Sequence, residues 1–136
     1  FGYGLSYAYA DLSDLKLTEN KLSHKKSDTL EYAYTISNPF NYPVEMVVEH
    51  YVTPPQADFE TPFFDLKHFE RIRLEGGETK TIQVSIPLEQ LKYYDDNGQR
   101  SLIKGEYRLS VGYSLPTDRS FELGIPTCLS DSFVIK

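Results

Sequence analysis

The sequence predicts an all-β fold, an antiparallel β-sandwich of about seven strands, and three observations carry that prediction. Apolar residues recur at every second position in several segments, turn signals separate those segments, and no stretch longer than one turn keeps a helical period. At 136 residues the chain fits one domain. A domain of that size buries roughly two-thirds of the surface its unfolded form exposes, enough for a core without staples.

A first strand is expected over about 12–18, LSDLKLT. In TLEYAYTIS, residues 29–37, Leu30, Tyr32, Tyr34 and Ile36 alternate with Glu31, Ala33, Thr35 and Ser37, the pattern of a strand with one buried face. The next strand, VEMVVEHYV over about 44–52, sets Met46, Val48, His50 and Val52 on one face. The imidazole of His50 is therefore expected to be partly buried and to hold hydrogen-bond partners, as a satisfied core histidine. HFERIRL follows over about 68–74. Ile82, Val84, Ile86 and Leu88 alternate in ETKTIQVSIPL, as do Tyr107, Leu109, Val111 and Tyr113 in EYRLSVGY. The last strand is SFVIK, about 132–136. SNPFNYP, EGG, DDNG and SLPTD supply the turns.

Two connections stand apart. TPPQADFETPFFD, residues 53–65, is a long loop with three prolines and three phenylalanines, either a binding or packing loop or a crossover whose phenylalanines cap the core. PLEQLKYYDD, residues 87–96, places Leu88, Leu91 and Tyr94 at helical-turn spacing between two strands. That is similar to the corner of immunoglobulin-like sandwiches, where a tyrosine hydroxyl ties the crossover to the backbone, and Tyr94 is the candidate for that tie.

Composition narrows the function. A formal charge of −6 repels phosphate backbones and anionic surfaces, so neither nucleic acid nor membrane is expected as a partner. Cys128 is the one cysteine, which allows no internal disulfide and reads as a small, buried apolar residue. Asp95 and Asp96 sit beside Asn97 and Gly98, a turn in which the Asx side chain bonds its own backbone; the remaining ligands of a calcium loop are missing. His24, His50 and His68 share no ligand spacing, and His24 falls in a polar SHKKSD turn. No nucleophile triad, phosphate-cradling glycine loop or Cys/His cluster appears, so no metal or cofactor is expected. Aromatic faces suit the apolar face of a sugar ring, but Tyr32, Tyr34, Tyr107 and Tyr113 alternate into a face shared with Leu, Ile and Val, and core packing accounts for them.

The opening FGYGLSY combines two glycines, costly to order, with aromatics that want burial. Together with YTISN, MVVEHYV, DLKHFERIRLEGGETKTIQVSI, LKYYD and KGEYRLSVGYS, in that order, it resembles the fibronectin type III-like module that closes many family 3 glycoside hydrolases, the β-glucosidase and β-xylosidase family. Against that pattern Arg100 stands for a tryptophan, Lys104 for a proline, His50 for a leucine, and NPFNYPVE for a glycine-containing turn. The resemblance implies a junction segment over 1–10 and a fibronectin type III-like sandwich over 11–136. It makes Phe1, Gly2, Tyr3, Gly4, Leu5, Ser6 and Tyr7, with Phe59, Phe63 and Phe64, candidates for packing against neighbouring domains.

It also implies that the catalytic pair lies elsewhere. In that family the nucleophile is an aspartate in Ser-Asp-[Trp/Tyr] on a barrel domain, and the acid/base glutamate usually comes from the domain after it, as retaining glycoside hydrolysis requires. Here Ser-Asp occurs as SDL, SDT and SDS, never before an aromatic. No catalytic residue is expected in this chain, and the parent is expected to be a retaining β-glycosidase. The partners implied are the parent's catalytic domains, with weak carbohydrate contact. A carbohydrate-binding module and a stand-alone protein-interaction domain are the alternatives.

Overall fold

In the computed structural model, residues 9–23, 29–55, 64–113 and 128–136 are described. The strands are β1 (Asp11–Leu17), β2 (Lys21–Leu22), β3 (Thr29–Ser37), β4 (Val44–Thr53), β5 (Asp65–Leu74), β6 (Thr79–Pro87), β7 (Tyr93–Tyr94), β8 (Arg100–Ser101), β9 (Gly105–Gly112) and β10 (Leu129–Ile135), with a 3₁₀ turn at Leu88–Leu91. A three-stranded sheet in the order β1-β3-β6 faces a five-stranded sheet in the order β2-β10-β9-β4-β5, and β7 and β8 form a separate ribbon. All pairings are antiparallel except that of β2 on β10. Seven of these strands are long, so the expected sandwich is the fold found.

Alternation places the core. Leu30, Tyr32, Tyr34 and Ile36 of β3 are buried and face Val48, Val52, Leu109, Val111 and Phe133 of the other sheet. Burying a side chain of this size stabilises the fold by about 1.5–3 kcal/mol. Two strands begin earlier than alternation indicates. β5 starts at Asp65 and β10 at Leu129, because their leading residues are held by ladder pairing (Asp65 to Val52, Leu129 to Val111), and in β10 Asp131 interrupts the apolar alternation between Leu129 and Phe133.

The corner is built differently from expectation. After the 3₁₀ turn, which buries Leu88 and Leu91, the backbone turns extended at Lys92, so Tyr94 leaves their face and stands 67% exposed. The tie is made by Tyr107, whose hydroxyl donates to the Ile103 carbonyl at 2.5 Å while its ring stacks on Phe133 at 5.1 Å. Arg100 takes a different role, donating to the Glu89 carboxylate at 2.7 Å and the Glu89 carbonyl at 2.6 Å. Tyr107→Phe keeps the stacked ring and loses one buried hydrogen bond, and should cost about 1 kcal/mol in urea unfolding. Tyr94→Phe should be neutral; equal effects at both positions would refute the assignment.

The DDNG segment forms the expected turn. Asp95 Oδ1 accepts from the backbone N–H groups of Asn97 (2.9 Å) and Gln99 (3.0 Å), and Gly98 takes φ +78°, the left-handed region glycine favours.

Candidate functional site

The most unusual chemistry lies where β5, the edge of the five-stranded sheet, closes over β3. Antiparallel register sets His50 of β4 directly opposite His68 of β5, and Val48 opposite Glu70. Opposed residues share a face, so His68 and Glu70 point inward along with Ile72 and Leu74. A register shift beside His50 turns the strand before that point. Leu66 thus joins Val47, Glu49, Phe69 and Arg71 around a shallow depression on the outer face.

Four side chains close a hydrogen-bonded circuit around Glu70. Its Oε1 accepts from the Tyr34 hydroxyl at 2.5 Å and lies 3.0 Å from His50 Nε2, while His50 Nδ1 is 2.6 Å from the Tyr32 hydroxyl. His68 Nε2 stands 3.4 Å from Glu70 Oε2. The rings are in contact as well: His50 meets His68 edge-on at 5.0 Å between centroids and Tyr34 at 5.5 Å.

Protonation follows from the surroundings. Burial pushes the His50 pKa down, outweighing the hydrogen bond to Glu70, so the ring is neutral. Burial alone would raise the Glu70 carboxyl, but hydrogen bonds from His50 and Tyr34 outweigh it and hold the group at about 2. Burial, reinforced by Glu70, pushes Tyr32 and Tyr34 upward, and both stay protonated. A carboxylate only accepts, so His50 Nε2 carries the ring proton and donates to Glu70, and Nδ1 accepts from the Tyr32 hydroxyl.

His50 is wholly buried and Tyr32 is 2% exposed, so the circuit meets solvent at Glu70 and His68, which are partly open. His50 is the satisfied core histidine its strand position implies. The spacing of the histidines in sequence concealed that His50 and His68 are neighbours. The readable signal was the parity of β5, where His68 and Glu70 fall in phase with Ile72 and Leu74.

Of the residues expected to pack against other domains, Phe1, Gly2, Tyr3, Gly4, Leu5, Ser6, Tyr7, Phe59 and Phe63 lie outside the described residues. Phe64 is half-buried, edge-on to Tyr51 at 6.5 Å. The end of the opening segment is held by Tyr113, whose hydroxyl donates to the Ala10 carbonyl at 2.6 Å and whose ring lies 5.1 Å from that of Tyr9. Tyr32, Tyr34 and Tyr107 are core residues. The large apolar side chains exposed among the described residues are Tyr42, Leu66, Phe69 and Tyr94.

Comparison with known proteins gives a consistent picture. A family model described as "Fibronectin type III-like domain" matches residues 46–115. A β-glucosidase of Kluyveromyces marxianus is 32% identical over 119 residues, which cover 84% of this chain and 13% of that protein. An exo-α-(1→6)-L-arabinopyranosidase of Bifidobacterium breve is 29% identical over 115 residues, 84% of this chain and 14% of its own length. The structure of β-glucosidase 3B from Thermotoga neapolitana superposes with a TM-score of 0.76 at 29% identity, over 98% of this chain and 17% of that one. The chain thus spans about one-seventh of the length of these curated relatives.

Proposed function

The chain belongs to the fibronectin type III-like domain family, and on that premise we propose that it is the non-catalytic accessory module of a family 3 glycoside hydrolase, packing on and stabilising the enzyme's catalytic domains. The observation that carries this reading is one of proportion: a whole sandwich matches only 13–17% of glycosidase chains. Residues 11–136 would be the module and 1–10 the junction. The parent would be a retaining β-glycosidase acting on β-glucosides or β-xylosides, with its catalytic Asp and Glu outside this chain. Relatives named for different sugars share the module, which supports a structural role over the choice of substrate.

The packing surface would include Phe1–Tyr7, Phe59, Phe63 and Phe64. The outer face of β4 and β5 supports this reading, since Leu66 and Phe69 stand 44% and 65% exposed there beside Val47. Deleting the module from the parent enzyme should lower its soluble yield and melting temperature. A truncated parent with unchanged melting temperature and kcat/KM would overturn the proposal.

A further inference from the structure

Three side chains that could each ligate a metal converge at the β4–β5 edge, and a packing role for the module makes no use of them. His68 and Glu70 alternate on one face of β5, and His50 stands across the ladder from His68 on the same face. Such an arrangement, two ligands two apart on one strand and a third on its neighbour, aims three donor atoms at one point without any loop to order. One ligand atom from each residue lies within 4.8 Å of the other two.

We propose that His50, His68 and Glu70 form a binding site for one divalent transition-metal ion of the zinc class. The spacing fits. A tetrahedral zinc ion with bonds of about 2.0–2.1 Å holds its ligand atoms roughly 3.3 Å apart. His50 Nε2 lies 3.0 Å from Glu70 Oε1, and His68 Nε2 lies 3.4 Å from Glu70 Oε2. Two imidazoles and one carboxylate suit zinc, cobalt, nickel or copper and disfavour calcium and magnesium, which take oxygen donors.

The surroundings complete the site. On metal binding His50 changes tautomer: its single ring proton passes from Nε2 to Nδ1, the Tyr32 hydroxyl turns its own proton away so that its oxygen, at 2.6 Å, accepts the Nδ1–H hydrogen bond, and the vacated Nε2 lone pair takes the metal. No electron is transferred and the ring stays neutral. The Tyr34 hydroxyl remains on Glu70 and orients the carboxylate, as outer partners of metal ligands commonly do. His68 and Glu70 keep side-chain exposures of 38% and 23%, which opens the site to solvent on that side. The inference stands on this geometry and does not depend on the accessory role.

The test is titration of the untagged chain with Zn²⁺ by calorimetry and with Co²⁺ by visible absorption, in a Cys128→Ser background that removes the one thiol. One ion per chain should bind, Co²⁺ should give the intense bands of tetrahedral coordination, and Zn²⁺ should raise the melting temperature. His68→Ala removes a partly exposed side chain, so the circular dichroism should be unchanged while affinity falls by about tenfold or more. Glu70→Gln should weaken binding as well. Absence of binding up to about 1 mM Zn²⁺, or binding that His68→Ala leaves intact, would overturn the proposal.

Discussion

Replacing Asn38 by alanine is expected to cost about 3 kcal/mol and to lower the melting temperature by roughly 10 °C. Asn38 follows β3 and is 1% exposed at the end of the sandwich where the β3–β4 and β5–β6 turns meet. Its Nδ2 donates to the carbonyls of Tyr42 at 2.7 Å and Glu75 at 3.0 Å, and its Oδ1 accepts from the Phe40 backbone N–H at 2.9 Å. The backbone joins in, with Asn38 N–H donating to the Glu78 carbonyl at 2.8 Å and Gly77 N–H to the Phe40 carbonyl at 3.0 Å. Alanine leaves the Tyr42 carbonyl and the Phe40 N–H without the partner Asn38 supplies, and the Glu75 carbonyl keeps only the Glu78 N–H. Nor can the turns slide together to compensate. A Cβ at Gly76 would already come within 2.8 Å of the Asn41 carbonyl carbon, so the two turns are in contact. Asn38→Asp separates the contributions: it keeps the acceptor for Phe40 but turns a carboxylate oxygen toward two carbonyls, and should destabilise at least as much as alanine. Urea denaturation of both variants checks this, and a loss under about 1 kcal/mol for Asn38→Ala would show that water replaces the side chain.

How far the sequence reveals this molecule depends on what period-two alternation can encode. It tells which side of a strand faces inward, so β3, β6 and β9 are legible residue by residue, and alternation puts Tyr107 in the core, where it is fully buried. It does not tell where a hydroxyl ends up. The Tyr107 tie needs the Ile103 carbonyl four positions upstream, which depends on the path of the chain into β9. Tyr94 continues the spacing of Leu88 and Leu91, but that spacing loses its meaning once the 3₁₀ turn stops at Leu91. The polar circuit was hidden for a related reason. Pairing of β4 with β5 across a long connection decides that His50 faces His68, and a register shift beside His50 turns Leu66 outward. A polar pair inside and an apolar pair outside invert the usual pattern of a strand over that stretch. The inversion marks the edge as a place where the chain gives up some burial, the kind of local exception that a functional site introduces.

Truncating Glu70 to alanine is expected to cost about 2 kcal/mol, and the cost should depend on what stands at position 50. Without the carboxylate, the Tyr34 hydroxyl and His50 Nε2–H both lose their acceptor, and both residues are fully buried. Water can enter beside Glu70, whose side chain is 23% exposed, and relieve part of the penalty. In a His50→Leu background only Tyr34 is orphaned, so Glu70→Ala should then cost about 1 kcal/mol, a coupling of roughly 1 kcal/mol between the two positions. The response of the single His50→Leu variant to Zn²⁺ distinguishes two views of the circuit. Leucine removes one buried donor from Glu70 and one acceptor from Tyr32, which costs stability, but it also adds apolar packing between Val48 and Val52 where the family pattern has a leucine. If the circuit exists only to hold the fold, the two effects nearly cancel and nothing else changes. If it exists to present His50 to a metal, His50→Leu leaves stability without added ion close to that of the parent chain and abolishes the rise in melting temperature that Zn²⁺ produces. Chemical denaturation of the four members of the cycle, with and without Zn²⁺, measures the coupling and the metal effect in one experiment; additive costs in the absence of metal would mean that Glu70 and His50 contribute independently.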